Sequence, residues 1–235
     1  MDNISENLGL YDFFNVIGAG AIFNIHIMLL FPDVLSKYQS MITNEMLQII
    51  GFVILSFFFG LVIQEVSEVI KRPLRIKEKM EKRFLIDKDI IGNDIKLKMH
   101  RRYAKDILHK KQIKHEKKLN EKQNEYIYAY VIYYIEHRKR NKKLERMRAL
   151  YGMSKLLICT MFLIFLAAAT GIFISMDLER IKICIGICIY SAVTAVLFYK
   201  RANRVMKFQI RMAMGVYESC IDDNYIENNR KDDQK

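Results

Sequence analysis

Tyr126, Tyr130, Tyr133 and Tyr134 lie on neighbouring turns just ahead of Arg138, Lys139 and Arg140, and that mixture of residue types can hold an anion. A guanidinium grips phosphate oxygens in pairs, and a phenol ring offers a face on which a base stacks. Arg138, Arg140, Tyr126, Tyr130 and Tyr134 therefore form the candidate ligand-binding set, and a small phosphorylated molecule would use both its charge and its rings. Further basic pairs, Arg101-Arg102, Lys110-Lys111, Lys117-Lys118 and Lys142-Lys143, widen the choice. Anionic lipid headgroups, a nucleotide or nucleic acid, and an acidic protein all suit such a surface. A solvated face that obeys the positive-inside rule accounts for most of the lysines.

A second set of polar residues stands inside apolar runs. Asn15 and His26 are eleven positions apart, about 20° around a helix, so they share a face. Asn24 falls nearly opposite, a turn beyond Gly20. Ser56, Gly60 and Gln64 repeat every four residues. Hydrocarbon offers such groups no partner, so they face the protein interior or a water-filled path. Asn15, His26, Ser56 and Gln64 are thus either pore-lining or interhelical. Adhesion between helices is the preferred reading, because no run contains an acid–base pair for proton relay. Ala167 and Gly171, four apart, are a further packing signature.

Catalytic and metal patterns are missing. There is no phosphate loop, no dinucleotide fingerprint, no nucleophile elbow and no His-Glu-x-x-His helix. Arg102 and His109 are spaced like the Arg/His pair of HEPN-type ribonucleases, and seven residues put them on nearly one helix face. In a stretch so rich in basic residues that spacing also arises by chance. His100, His109, His115 and His137 form no pair at helical metal-ligand spacing. Cys184 and Cys188 sit one turn apart without a second pair of zinc ligands, so packing is their expected role. No cofactor, no metal and no enzymatic activity are expected.

These residues are positioned by a chain of two opposite characters. Residues 46–64, 156–176 and 183–199 contain no Asp, Glu, Lys, Arg or His, and 11–31 contains only His26 after Tyr11 and Asp12. Each run has about the length a helix needs to cross a hydrocarbon core of roughly 30 Å. Residues 65–150 carry 26 Lys/Arg and 13 Asp/Glu, a net +13 against +12 for the whole chain. The chain thus reads as an all-α integral membrane protein with four transmembrane helices and a basic cytosolic helical hairpin between spans 2 and 3. The expected divisions are 1–64, a first transmembrane hairpin; 65–155, the basic insert; 156–199, a second hairpin; and 200–235, a cytosolic tail.

Charge also sets the expected orientation. Of Lys and Arg, the linkers at 32–45 and 177–182 hold only Lys37, Arg180 and Lys182. Lys71, Arg72, Arg75, Arg138, Lys139, Arg140 and Lys155 flank the insert, and Lys200, Arg201, Arg204 and Lys207 follow the last run. Both termini and the insert are expected on the cytoplasmic side. Ala19-Gly20-Ala21 fits a signal-peptidase pattern, but no Lys or Arg precedes it and the apolar run continues past it, so a retained span is expected. No lipidation motif is evident.

Within the insert, Pro73 falls where the chain leaves the second run, and Gly92-Asn93 is the one obvious turn signal. Helix formers fill 94–151, with Met99, Tyr103 and Ile107 on one expected stripe, a break near 110–120, and a later helix over about 122–150. The apolar block at 126–135 is too short to span a bilayer. It reads as a helix that packs on its neighbour, on another subunit or on the membrane surface, although its Tyr, Ile and Val content also suits a strand. No internal repeat supports an inverted-repeat transporter.

Leu10-Tyr11-Asp12-Phe13-Phe14, Gly20-Ala21-Ile22-Phe23, Gly60-Leu61-Val62-Ile63-Gln64-Glu65 and Lys200-Arg201-Ala202-Asn203-Arg204 mark the ends of the runs. Together they resemble small four-span membrane proteins among prokaryotic antiphage defence effectors, some of which answer nucleotide second messengers. Ala19 stands where such proteins often carry Pro. The resemblance implies a homo-oligomer in the inner membrane, partnered by lipids, that perturbs the membrane when infection is sensed. The trigger would be a nucleotide second messenger or a cytosolic defence protein acting on the insert. The expected function is accordingly a gated pore or membrane-disrupting effector. The alternatives are a non-conducting scaffold that recruits a cytosolic partner or nucleic acid, and a membrane-bound ribonuclease using Arg102 and His109.

Overall fold

Neither Gly nor Pro occurs between Asp94 and Tyr151, yet the chain breaks twice there, where Gln112 and Lys139 turn left-handed under helix-closing backbone hydrogen bonds and Asn120 caps the helix that follows the first break. The computed structural model describes residues 2–41, 44–69, 76–113, 119–174 and 177–232, with side chains for 13–33, 36, 37, 40, 44–69, 76–113, 119–174 and 177–221. Lys71, Arg72, Pro73, Arg75, His115, Lys117 and Lys118 lie outside the described residues. The helices are α1 (Asp2–Leu30), α2 (Pro32–Met41), α3 (Glu45–Val69), α4 (Ile76–Arg83), α5 (Lys88–Ile91), α6 (Asp94–Lys110), α7 (Glu121–His137), α8 (Lys142–Ile174) and α9 (Leu178–Asp232). No strand occurs among the described residues, which settles the 126–135 block as helical. Four helices, α1, α3, α8 and α9, are long and apolar enough to cross a membrane.

The chain divides into two compact units, one of residues 1–74 and 149–202, the other of 75–148 and 203–235. In the first, α1 and α3 meet backbone to backbone. A Cβ on Gly20 would fall on the Ser56 carbonyl oxygen and 2.6 Å from the Gly60 nitrogen, and one on Gly60 would fall on the Val16 carbonyl. Only glycine permits this approach. The pairing of 20 with 56 and 16 with 60 makes the two helices antiparallel. Pro32 follows α1 directly and opens α2, a position where its missing N–H costs nothing. Ala19, Ile63, Leu156 and Cys159 form one buried seam. Leu30, Ala168 and Cys184 form another, and a Cβ on Gly171 would lie 2.9 Å from the Cys184 sulfur. Ion pairs close the two ends: Arg180–Asp33 at 3.6 Å joins the two short linkers, and Lys155–Glu68 at 2.7 Å joins α8 to α3.

The second unit is more than a hairpin. α4 to α7 and the beginning of α8 are joined by residues 203–221 of α9, the stretch expected as a tail. Met206, Ile210, Ala213, Tyr217 and Cys220 recur at three and four residues and are all buried, the spacing of an apolar helix face. Phe84, Leu85, Leu97, Leu108, Ile127, Val131, Ile135 and Leu144 complete this core. On α6 the buried stripe is Leu97, His100, Ala104, Ile107 and Leu108. Of the expected stripe only Ile107 is buried; Met99 and Tyr103 lie at its margin, half-exposed.

Caps explain the boundaries. Gly92, at φ 75°, ends α5, and Asn93 caps α6 by accepting from the Ile95 and Lys96 amides, so the one legible turn is a joint between two helices. α6 ends on Gln112 at φ 56°, with the Ile113 amide donating to the Leu108 carbonyl. Asn120 then opens α7 with a reciprocal capping box to Gln123. The expected single helix over 122–150 is divided at 138–141. Lys139 adopts φ 54°, and the Arg140 amide donates to the Ile135 carbonyl, closing α7 before α8 begins.

Candidate functional site

The α7 spacing that buries Asn124, Tyr128, Val131 and Ile135 turns Tyr130 and Tyr134 to a flank of the helix. Their rings stack at 6.4 Å with 26° between planes. Tyr217, from α9, meets both edge-on, at 6.4 Å from Tyr130 and 5.2 Å from Tyr134. Two cations cover the outer ring faces: Lys111 Nζ lies 5.7 Å from the Tyr130 centroid, and Arg138 Cζ lies 5.7 Å from that of Tyr134. Each such contact is worth about 0.5–1 kcal/mol where water reaches it. Arg138 is placed by the helix end itself, since its backbone N–H bonds the Tyr134 carbonyl as the C-cap.

Of the five residues expected to hold a ligand, the structure brings together Tyr130, Tyr134 and Arg138. Tyr126 sits on the same helix, 39% exposed, outside these ring contacts. Arg140 is exposed one turn past the cluster, its backbone closing α7. Tyr217 and Lys111 are the additions. The three- and four-residue repeat of 206–220 held the signal for Tyr217, and Lys111 was visible only as half of a basic pair. Burial, then the neighbouring Tyr130 and Tyr134 phenols, push the Tyr217 hydroxyl above its ordinary range, so it stays a neutral donor. The cluster supplies ring faces, hydroxyls and positive charge without a nucleophile–base pair.

Behind it lies a polar interior. Gln209 Nε2 donates to the Tyr128 hydroxyl at 3.2 Å, and Asn124 Nδ2 to the Lys82 carbonyl at 2.9 Å. Burial pushes the Tyr128 hydroxyl up, with the Glu81 carboxylate adding to it. Burial also raises Glu81, against the pull of Lys77. His100 is buried on α6 and its Nδ1 has no hydrogen-bond partner; burial, with Lys96 nearby, lowers it to about 4. Arg102 and His109 are both exposed on α6, away from this core. No group of three metal-ligating side chains exists among the described residues.

In the first unit the polar residues of the apolar helices divide. The hydroxyls of Ser67, Ser154, Thr160, Thr170 and Ser191 donate to carbonyls three or four residues back on their own helices. Ser56 is fully buried against Gly20, and its hydroxyl and the Asn24 amide nitrogen have no partner. His26 bonds the Ile22 carbonyl through Nδ1 at 2.7 Å and stacks on Tyr190 of α9 at 5.8 Å. Asn15 is half-buried. Gln64 is exposed on the outer face of α3, beside exposed Leu61 and Val62, so it does not share the buried position of Ser56 and Gly60.

The described features define a class: an all-helical chain with four membrane-length apolar helices and a basic helical unit bearing an aromatic–cation cluster. No protein family, curated protein or solved structure matches the chain.

Proposed function

We propose that this protein is an oligomeric inner-membrane effector, a gated pore or membrane-disrupting assembly triggered through its basic cytosolic unit, acting in antiphage defence. α9 carries this reading. It holds Tyr217 of the aromatic cluster and the apolar run 183–199 in one uninterrupted helix. A ligand that prefers one arrangement of Tyr130, Tyr134 and Tyr217 biases the position of α9 by its difference in affinity between the two arrangements. Lys111 and Arg138 make that ligand anionic, which suits a nucleotide second messenger or an acidic surface on a cytosolic defence protein.

The basic flanks support an orientation with both termini and the basic unit in the cytoplasm. Exposed Leu29, Phe58, Phe162, Phe173, Val193 and Leu197 on the four helices suit contact with lipid. Gln64, an exposed amide on an apolar helix, suits contact with a second copy of the chain, where it finds the partner that hydrocarbon denies it.

The test is release of a trapped dye from liposomes carrying the full chain, with cytosolic extract of infected or uninfected cells on the basic side. Release only with extract from infected cells, lost in Arg138→Gln and Tyr217→Ala, is the expected result. A membrane that stays tight under every condition overturns the effector reading in favour of a scaffold.

A further inference from the structure

The charges of the basic unit are segregated in a way the sequence does not display. On α4 each cation but one faces an acid: Lys77 is 3.9 Å from Glu81, Lys82 is 2.6 Å from Glu78 and 3.8 Å from Glu125, and Arg83 is 3.9 Å from Glu121. That face is close to neutral. On α6, Lys98, Arg102 and Lys105 follow at spacings of four and three, so they occupy one face, and all are exposed. None has a carboxylate within ion-pairing distance among the described residues, and Asp106 is the only acid beyond the first turn of α6. The face opposite them carries buried His100 and Ile107, and Leu97, Ala104 and Leu108 extend that buried stripe to one side. Ile95 stands 78% exposed at the start of the cationic stripe.

We propose that the Lys98–Arg102–Lys105 face of α6 is a docking surface for anionic phospholipid headgroups. Its uncompensated charge attracts phosphate, and the tether favours the membrane as the source. The basic unit is joined to the apolar helices through α8 and α9, so a lipid surface reaches it at high effective concentration. Exposed Ile95 beside the cations discriminates further. An apolar side chain among lysines is suited to the boundary between headgroups and acyl chains, whereas a phosphodiester backbone gives it no partner. Docking would hold the basic unit in one arrangement until a ligand of the tyrosine cluster competes.

The proposal rests on the membrane-embedded part of the reading above, and the test separates the two. Full-length protein is mixed with liposomes and floated; failure to float removes the membrane reading itself. Protein that floats is placed in lipid discs of zwitterionic lipid alone or with added phosphatidylglycerol, and lysines are labelled with an amine-reactive reagent. Three cations near an anionic surface correspond to a preference of roughly 100-fold. Labelling of Lys98 and Lys105 should therefore fall by about tenfold or more in the anionic discs and recover in high salt. Lys77, on the compensated face, should label equally in both. The variant Lys98→Gln, Arg102→Gln, Lys105→Gln, altered only at exposed positions, should float as before and lose salt-sensitive protection of Lys96 and Lys110. Equal labelling of Lys98 and Lys105 in the two discs overturns the proposal. So does protection by added RNA in zwitterionic discs that exceeds the protection given by anionic lipid, which would reassign the face to nucleic acid.

Discussion

His100 should make the basic unit acid-labile by an amount the structure sets. Its side chain is buried on α6, Nδ1 is unpartnered, and the ring is held at about 4 instead of its ordinary 6.5. Between those values the unfolded chain carries a proton that the folded chain refuses, so stability rises with pH there. The penalty is absent above about pH 6.5, accumulates as the pH falls, and levels off below about pH 4. At roughly 1.4 kcal/mol per unit its full size is about 3 kcal/mol. At about pH 5 it is roughly 2 kcal/mol, or about 30-fold in the opening equilibrium. Glu81 acts in the opposite sense, because its raised carboxyl takes up a proton on folding as the pH drops, so the whole-protein pH profile mixes the two.

The variant His100→Leu isolates the histidine. Since the chain contains no Trp, hydrogen–deuterium exchange of the α6 amides in detergent-solubilised full-length protein is the more direct readout. After correction for intrinsic rates, wild-type α6 should lose about 30-fold more protection than His100→Leu between roughly pH 7.5 and pH 5. An equal loss in both proteins would refute the reasoning, since it would mean that the ring titrates normally in the fold.

Four other substitutions test separate features. Gly60→Val should cost about 3 kcal/mol or more of helix-pair stability, because its Cβ meets the Val16 backbone, whereas Gly18→Ala, which meets nothing within 4 Å, should be neutral or stabilising in circular-dichroism melts. Asn120→Ala removes half of the capping box and should cost about 1 kcal/mol, visible as faster exchange in the first turn of α7. Lys139→Gly should stabilise by up to about 1 kcal/mol, because relief of the left-handed backbone outweighs glycine's extra unfolded-state entropy; a lowered melting temperature would refute this.

The apolar helices were legible because a bilayer-length run without charge leaves little freedom. Residues 46–64 and 183–199 need no tertiary information to be helices. The joint at Gly92-Asn93 was legible for a similar local reason, as glycine takes the left-handed conformation at no steric cost. The stops at Gln112 and Lys139 were not, because there ordinary residues adopt that conformation under the pull of a helix-closing hydrogen bond. The site was half legible. Tyr130, Tyr134 and Arg138 fall close together in sequence, so spacing alone could group them. Tyr217 lies about eighty residues away, and only the packing of 203–221 into the basic unit brings its ring to the others. Gln64 shows the limit of periodicity: it continues the Ser56–Gly60 register by number, but Ile63 and Ser67 take the buried face as the stripe drifts around α3.

The hydroxyls of Ser67, Ser154, Thr160, Thr170 and Ser191 all turn back on their own helices, and that choice has a mechanical consequence. These groups lend no directional bonding between neighbours, so they offer no resistance when one rod slips lengthwise past another. The interlocked glycines weld α1 to α3, and Gly171 fits α8 closely against Cys184 of α9. Between those pairs lie apolar contacts along Ala19, Ile63 and Leu156, the Cys159 thiol donating to the Ile63 carbonyl at 3.8 Å, the His26–Tyr190 stack, and the Lys155–Glu68 and Arg180–Asp33 ion pairs at the two ends. Lengthwise slip between the pairs would therefore have to break those few links at the ends and at one thiol, and none along the hydroxyls.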